Sequence, residues 1–154
     1  MNPKPTIYFD LDGTVYDLYH RTLWLDRITI LADPSVYEEK DANIYARDEF
    51  IALLDALVAA GYKLGVVSWL AKGGTQDYNN AVREVKRAWV KAFMPQVTEI
   101  HIVKYGTPKH HVINDKGNAI LVDDVEEVRA AWHHGHTIDA SDNIIPALIA
   151  LMSE

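Results

Sequence analysis

The stretch Ile7-Tyr8-Phe9-Asp10-Leu11-Asp12-Gly13-Thr14 decides how the rest of the chain is read. An apolar run stops at two aspartates spaced two apart, then a glycine and a hydroxyl residue. Side chains two apart on a strand share a face, so a strand ending here delivers two carboxylates to one sheet edge. Two close carboxylates repel, and the pair is costly unless a cation or a proton compensates it. The spacing therefore predicts a buried strand over Thr6–Asp10 whose tip carries chemistry. The plainer reading, that Asp10 and Asp12 only shape a turn before Gly13, is weakened by acids at a further strand end.

Outward from that tip, strand and helix patterns alternate, which predicts an α/β domain with a parallel sheet covered on both faces, a three-layer doubly wound architecture. A helix is predicted over Asp48–Ala60, with Phe50, Leu53, Leu54, Leu57 and Val58 in helical register and Gly61 as its stop. Strand two is read at Lys63–Ser68 through the run Leu64-Gly65-Val66-Val67. The next helix, Asp77–Phe93, carries Tyr78, Val82, Val85, Trp89 and Phe93 as its apolar stripe. Arg83, Glu84, Lys86 and Arg87 are assigned to its water-facing side. Strand three is placed at Thr98–Val103, followed by a short helix from Pro108 with Thr107 as N-cap. Strand four, Ala119–Val122, ends in Asp123-Asp124; a helix over Val125–His133, a short strand at Thr137–Asp139 and a last helix at Pro146–Met152 complete the pattern.

The segment from Asp17 to Arg47 breaks this rhythm, being far longer than the usual connection of about 2–6 residues. Leu18–Leu31 reads as helical and Ala32-Asp33-Pro34-Ser35 as a turn. The chain is accordingly expected to be one domain, residues 1–154, with a small lid at about 17–47.

Composition sets limits. The 154 residues are 49% hydrophobic, enough for a real core and against disorder. There is no cysteine, so neither a disulfide framework nor a thiolate metal site is expected, in keeping with a reducing cytoplasm. The N-terminus leads straight into strand one without a signal-like apolar segment, and no apolar run reaches the ~20 residues of a membrane span. The net charge of −7, with no basic patch, argues against nucleic acid as a partner and towards a small-molecule ligand. Lys72-Gly73-Gly74-Thr75 lacks the spacing of a phosphate loop and is read as a plain loop. His133, His134 and His136 flank Gly135 without zinc-type spacing and are read as a solvated turn.

In open parallel sheets, ligands bind beyond the carboxyl ends of the strands. There the pattern gathers Asp10 and Asp12 from strand one, Ser68 from strand two, Lys104 or Lys109 after strand three, and Asp123 and Asp124 from strand four. Lys109 is preferred to Lys104 because a helix start points amides and charge into the crevice. Asp124 also has the position of a cap for the helix that follows.

This set, in this order, resembles the haloacid dehalogenase superfamily of phosphohydrolases. Asp10-Leu11-Asp12-Gly13-Thr14 is similar to its first motif, Val66-Val67-Ser68 to its second, Lys109 to its third and Leu121-Val122-Asp123-Asp124 to its fourth. The resemblance covers nearly the whole chain. It implies a Rossmann-like hydrolase fold and a phosphomonoester hydrolase in which Asp10 attacks phosphorus and becomes an aspartyl phosphate. It also implies Mg2+ held by the Asp10 carboxylate, the Asp12 backbone carbonyl and Asp123 or Asp124. Asp12 would protonate the leaving oxygen and activate water. Ser68 would bind a phosphate oxygen, Lys109 would bridge nucleophile and phosphate, and the amides of Leu11 and Gly13 would cradle the phosphate. Lid aromatics Tyr16, Tyr19 and Trp24, with Trp69 after Ser68, would contact the leaving group, alongside His20 and Arg21. The short chain, the lid and the close spacing of Lys109 to Asp123 are similar to the deoxyribonucleotidase branch, which implies a nucleoside or deoxynucleoside monophosphate; a sugar phosphate is a further option, and a terminal phosphate on a nucleic-acid strand is another, against which the acidic balance argues. Trp24 and the tyrosines equally suit a lid core.

Two rivals remain at this point. A signalling receiver also places acids, a hydroxyl and a lysine on a doubly wound sheet, but its phosphoacceptor ends the third strand, and here strand three ends without an acid. A catalytically silent phosphate-binding domain would share the whole constellation.

Overall fold

The computed structural model describes residues 3–16, 18, 24–37, 45 and 47–153. Five parallel strands form one sheet: β1 (Thr6–Phe9), β2 (Lys63–Trp69), β3 (Glu99–Val103), β4 (Ala119–Asp123) and β5 (Thr137–Asp139), in the order β3-β2-β1-β4-β5. The connecting helices are α1 (Trp24–Thr29), α2 (Arg47–Ala59), α3 (Gln76–Phe93), α4 (Lys109–Val112), α5 (Glu126–Ala130) and α6 (Ile144–Leu151). The three-layer doubly wound sheet expected from the alternating pattern is therefore present.

Strand alternation sorts the core. Ile7, Phe9, Leu64, Val66, Ile120 and Val122 face α2, α3 and α6, while Tyr8, Val67 and Leu121 face Ile113, Val128 and Trp132 beneath α4 and α5. Phe9 meets Phe50 of α2 edge-on at 5.7 Å. Gly65 leaves room for the Tyr8 ring, whose nearest atom would stand 2.6 Å from an added Cβ. Tyr8 thereby reaches across β2, and its hydroxyl donates to Glu99 at 2.9 Å.

Chain order runs outward from β1 to β3 on one side, then returns to β4 and β5 on the other. The reversal falls between β1 and β4, whose tips carry Asp10 and Asp123. A doubly wound sheet binds ligands at such a switch point. The same order excludes a receiver, because receivers follow the 2-1-3-4-5 arrangement.

Several local expectations are corrected. The short helix after β3 is capped by Pro108, with φ −58° and ψ 115°, and makes no side-chain cap bond; the Thr107 carbonyl instead accepts from the Trp69 indole at 2.8 Å. α5 ends at Ala130 rather than continuing to His133, because Trp132 turns inward and its indole donates to the Ala119 carbonyl at 3.0 Å. Neither Asp123 nor Asp124 caps that helix: its N-cap is Val125, with no side-chain cap bond, and Asp123 Oδ1 instead accepts from Val125 N at 2.9 Å, just ahead of it. Where a turn is expected at Ala32–Ser35, Pro34–Tyr37 forms a 3-10 turn that follows Asp33, whose carboxylate accepts from Ser35 N at 2.9 Å. Among residues 18–31, where one helix is expected, α1 accounts for Trp24–Thr29; Tyr19, His20 and Arg21 lie outside the described residues. Among the described residues no helix is long and apolar enough to cross a membrane.

Candidate active site

Asp10 follows directly on β1, and its N–H still donates to the Val122 carbonyl at 2.9 Å, so the carboxylate is fixed against β4. Gly13 then takes φ 78°, a conformation costly for other residues. The turn this permits sends Thr14 back to Asp10, with Oγ1 3.1 Å from Asp10 Oδ2 and 3.4 Å from Asp124 Oδ1. The Gly13 N–H donates to the Tyr16 carbonyl at 3.0 Å, which spends that donor inside the turn.

Lys109 settles the choice between the two lysines. Its amine donates to Asp10 Oδ1 at 3.0 Å and to Asp123 Oδ2 at 2.7 Å, whereas Lys104 is exposed. Burial works against the charge on Lys109, but the carboxylates of Asp10 and Asp123 outweigh it and hold the amine above its usual range. Arg129 braces the same loop by donating to the Asp123 carbonyl at 3.0 Å.

Carboxylate oxygens of Asp10, Asp123 and Asp124 lie within 4.8 Å of one another. Burial pushes the Asp10 carboxyl up against the pull of Lys109. Asp124 is raised to about 7, by burial first and by the charge of Asp10 next. Three hard oxygen donors whose charges oppose one another suit a hard divalent cation such as Mg2+. When all four site carboxylates are ionised, the two lysines balance two of them, and the two negative charges that remain would be balanced by one divalent cation.

Lys86 is the residue the sequence reading missed. It is fully buried rather than water-facing. Its amine donates to Asp12 Oδ2 at 2.7 Å, to Ser68 Oγ at 3.0 Å and to the Trp69 carbonyl at 2.8 Å. The signal was present in the periodicity: Lys86 follows Val82 by four and precedes Trp89 by three, which places it on the buried face of α3.

Tyr16 also corrects its expected role. It is buried beside Trp89, with ring centroids 4.8 Å apart, and its hydroxyl donates to Asp12 Oδ1 at 2.6 Å. It supports Asp12 from behind and is not part of the cavity wall.

The cavity in front of these groups has a volume of about 410 Å3. Asp10, Asp12, Asp123, Asp124 and Lys109 form its floor. Its walls are apolar and aromatic: Leu18, then Trp24, Leu25 and Ile28 of α1, with Trp69 of β2 and Tyr105 beyond β3. Trp69 packs on Tyr105 at 4.9 Å, with Lys109 over the Trp69 ring at 5.3 Å and Lys72 over Tyr105 at 5.8 Å. Trp24 and Trp69 both line this cavity.

Comparison with solved structures finds the same fold. The chain is similar to D,D-heptose 1,7-bisphosphate phosphatase from Burkholderia thailandensis, with TM-score 0.52 and 14% identity over 98% of this chain and 100% of that one. It is similar to the D,D-heptose 1,7-bisphosphate phosphatase of B. bronchiseptica complexed with magnesium and phosphate, with TM-score 0.54 and 12% identity over 96% of this chain and 99% of that one. A protein of Mesorhizobium loti described as a HAD-like phosphatase aligns with TM-score 0.54 and 15% identity over 99% of this chain and 88% of that one. No protein-family model and no curated protein matches the sequence.

Proposed function

We propose that this chain, which has the fold of the haloacid dehalogenase-like phosphatases, is a divalent-metal-dependent phosphomonoester hydrolase. The observation that carries the reading is the meeting of Asp10, Asp123, Asp124 and Lys109 at the switch point of the sheet.

Attack by a carboxylate on a phosphate dianion is opposed by charge: two unit charges ~4 Å apart repel by ~4 kcal/mol at a surface-like dielectric. Mg2+, held by Asp10, the Asp12 carbonyl and Asp123 with Asp124, would neutralise phosphate charge and stabilise the transition state. Lys109 supplies a positive charge beside the nucleophile. Thr14 steers the second Asp10 oxygen. Asp10 attacks phosphorus and the ester oxygen leaves, taking a proton from Asp12. Asp12, then ionised, removes a proton from the water that hydrolyses the aspartyl phosphate, returning Asp10. Ser68 donates to a phosphate oxygen, with the Leu11 amide as a backbone contact.

The leaving group we favour is flat and aromatic, as in a nucleoside or deoxynucleoside monophosphate. Apolar and aromatic walls suit a base better than a polyhydroxylated sugar, and stacking contributes ~1–3 kcal/mol per base. The substrate is a small molecule in this account, and the lack of cysteine suits a reducing cytoplasm.

Phosphate release from p-nitrophenyl phosphate tests the activity. Turnover should require Mg2+ and vanish in Asp10→Asn. A folded, metal-supplied protein inert on every phosphate ester, yet binding phosphate, would instead be the silent binding domain.

A further inference from the structure

We infer that Lys86 is a positioning residue: one buried cation that orients both the acid–base carboxylate of Asp12 and the phosphate-binding hydroxyl of Ser68. The inference rests on the phosphohydrolase reading above.

A lysine amine has three donors and no acceptor. In Lys86 the three go to Asp12 Oδ2 at 2.7 Å, Ser68 Oγ at 3.0 Å and the Trp69 carbonyl at 2.8 Å. Each bond has a consequence for the site. Because Ser68 Oγ accepts from Lys86, its own proton is left for another acceptor, which in this reading is a phosphate oxygen. Because Asp12 is gripped at Oδ2 by Lys86 and at Oδ1 by the Tyr16 hydroxyl at 2.6 Å, its carboxylate cannot rotate about its last bond without losing a partner. The bond to the Trp69 carbonyl ties the amine to the end of β2 itself, so that the tips of β1 and β2 are held in register.

Lys86 also touches the lid. The ring of Tyr37, at the end of the 3-10 turn, lies 4.6 Å from the amine. That turn is anchored to α3 by the Tyr78 hydroxyl, which donates to the Asp33 carbonyl at 3.2 Å. The two lysines thus divide the work. Lys109 serves the nucleophile and the metal acids, and Lys86 serves the acid–base group and the phosphate hydroxyl.

The test compares two substrates that differ in their need for an acid. The p-nitrophenolate anion leaves with little protonation, whereas an alkoxide requires a proton. Correctly placed general acids contribute about 10²–10⁴-fold. Lys86→Met, which keeps the apolar stem, should lower kcat/KM, which reads the step in which the ester oxygen leaves and not the later hydrolysis common to both substrates, about 100-fold on an alkyl monophosphate and less than about 10-fold on p-nitrophenyl phosphate. It should also weaken inhibition by inorganic phosphate, because the Ser68 proton is no longer aimed. Lys86→Arg should recover part of the alkyl phosphate rate. Equal losses on both substrates, or none, in a folded Lys86→Met protein would overturn the inference. If that variant does not fold, Asp12→Asn with Lys86→Met leaves no unpaired charge, and its ratio of alkyl to aryl rates should match that of Asp12→Asn alone. A further drop in that ratio would show that Lys86 does not act through Asp12. Wild-type turnover on both substrates is the control, and its absence sinks the phosphohydrolase reading rather than this one.

Discussion

The Lys109 amine lies 3.0 Å from Asp10 Oδ1, at the point where the sheet reverses direction. Both groups are buried, and the same amine reaches Asp123 at 2.7 Å. One cation therefore supports two acids that come from different strands. Removing it leaves buried charge without compensation. Lys109→Met is expected to destabilise the metal-free protein by about 3–5 kcal/mol in urea unfolding, the cost of breaking a buried ion pair from one side. Saturating Mg2+ should recover part of the loss without restoring turnover. An unchanged urea midpoint would count against the pair.

The acid cluster makes stability depend on pH. Asp124 ionises at about 7 in the folded chain, well above its ordinary 3.8, because burial and the charge of Asp10 disfavour its anion. A carboxyl raised by folding contributes stability while protonated and loses it as pH climbs through the folded value. The metal-free protein should therefore melt at lower temperature at pH 8 than at pH 6 on account of this group. Mg2+ should raise Tm more at pH 8, where no proton has to be displaced, and its affinity should fall below pH 7. Thermal melts with and without the ion across pH 6–8 measure both trends, and Asp124→Asn should flatten them.

Gly65 is a packing constraint remote from the chemistry. In Gly65→Ala the new Cβ would stand 2.6 Å from the Tyr8 ring, and the ring would have to leave its contact with Glu99. Over-packing of this kind costs ~1–3 kcal/mol. The variant should unfold at lower urea with its KM for any accepted phosphate ester unchanged. A wild-type midpoint would show that Tyr8 has room to move.

Trp69 tests the leaving-group side. It lines the cavity and packs on Tyr105 at 4.9 Å. If it stacks on a base, Trp69→Leu should raise KM for a nucleoside monophosphate by about 5- to 150-fold, the equivalent of ~1–3 kcal/mol. Inhibition by inorganic phosphate, which lacks a base, should change little. Equal effects on both ligands would remove Trp69 from the leaving-group site.

Much of the site could be read from sequence because a parallel sheet pools its strand ends. Once β1 and β4 are recognised as buried apolar runs, Asp10, Asp12, Asp123 and Asp124 have one edge to occupy. Ser68 and Lys109 follow by the same rule. Lys86 was misassigned because its charge outranked its register: on α3 it sits among Val82, Trp89 and Val90, all buried. A lysine in an apolar stripe implies a carboxylate beneath it, and Asp12 is that partner. Tyr16 was misplaced for a different reason. The left-handed backbone at Gly13 folds the chain back on itself, and side-chain spacing along a strand does not foresee such a reversal. The N-cap after β3 went to Pro108 rather than Thr107 because the Thr107 carbonyl is held by the Trp69 indole, a contact across 38 residues that no local pattern encodes.

Asp10 is the nucleophile in the proposed reaction, and its covalent intermediate can be trapped. Turnover with p-nitrophenyl phosphate and Mg2+ can be quenched during the steady state and treated with borohydride, which reduces an aspartyl phosphate to homoserine. Peptide mapping by mass spectrometry should then find homoserine at position 10. Homoserine at position 12, 123 or 124, or an unmodified Asp10 in a protein that turns over, would contradict the mechanism.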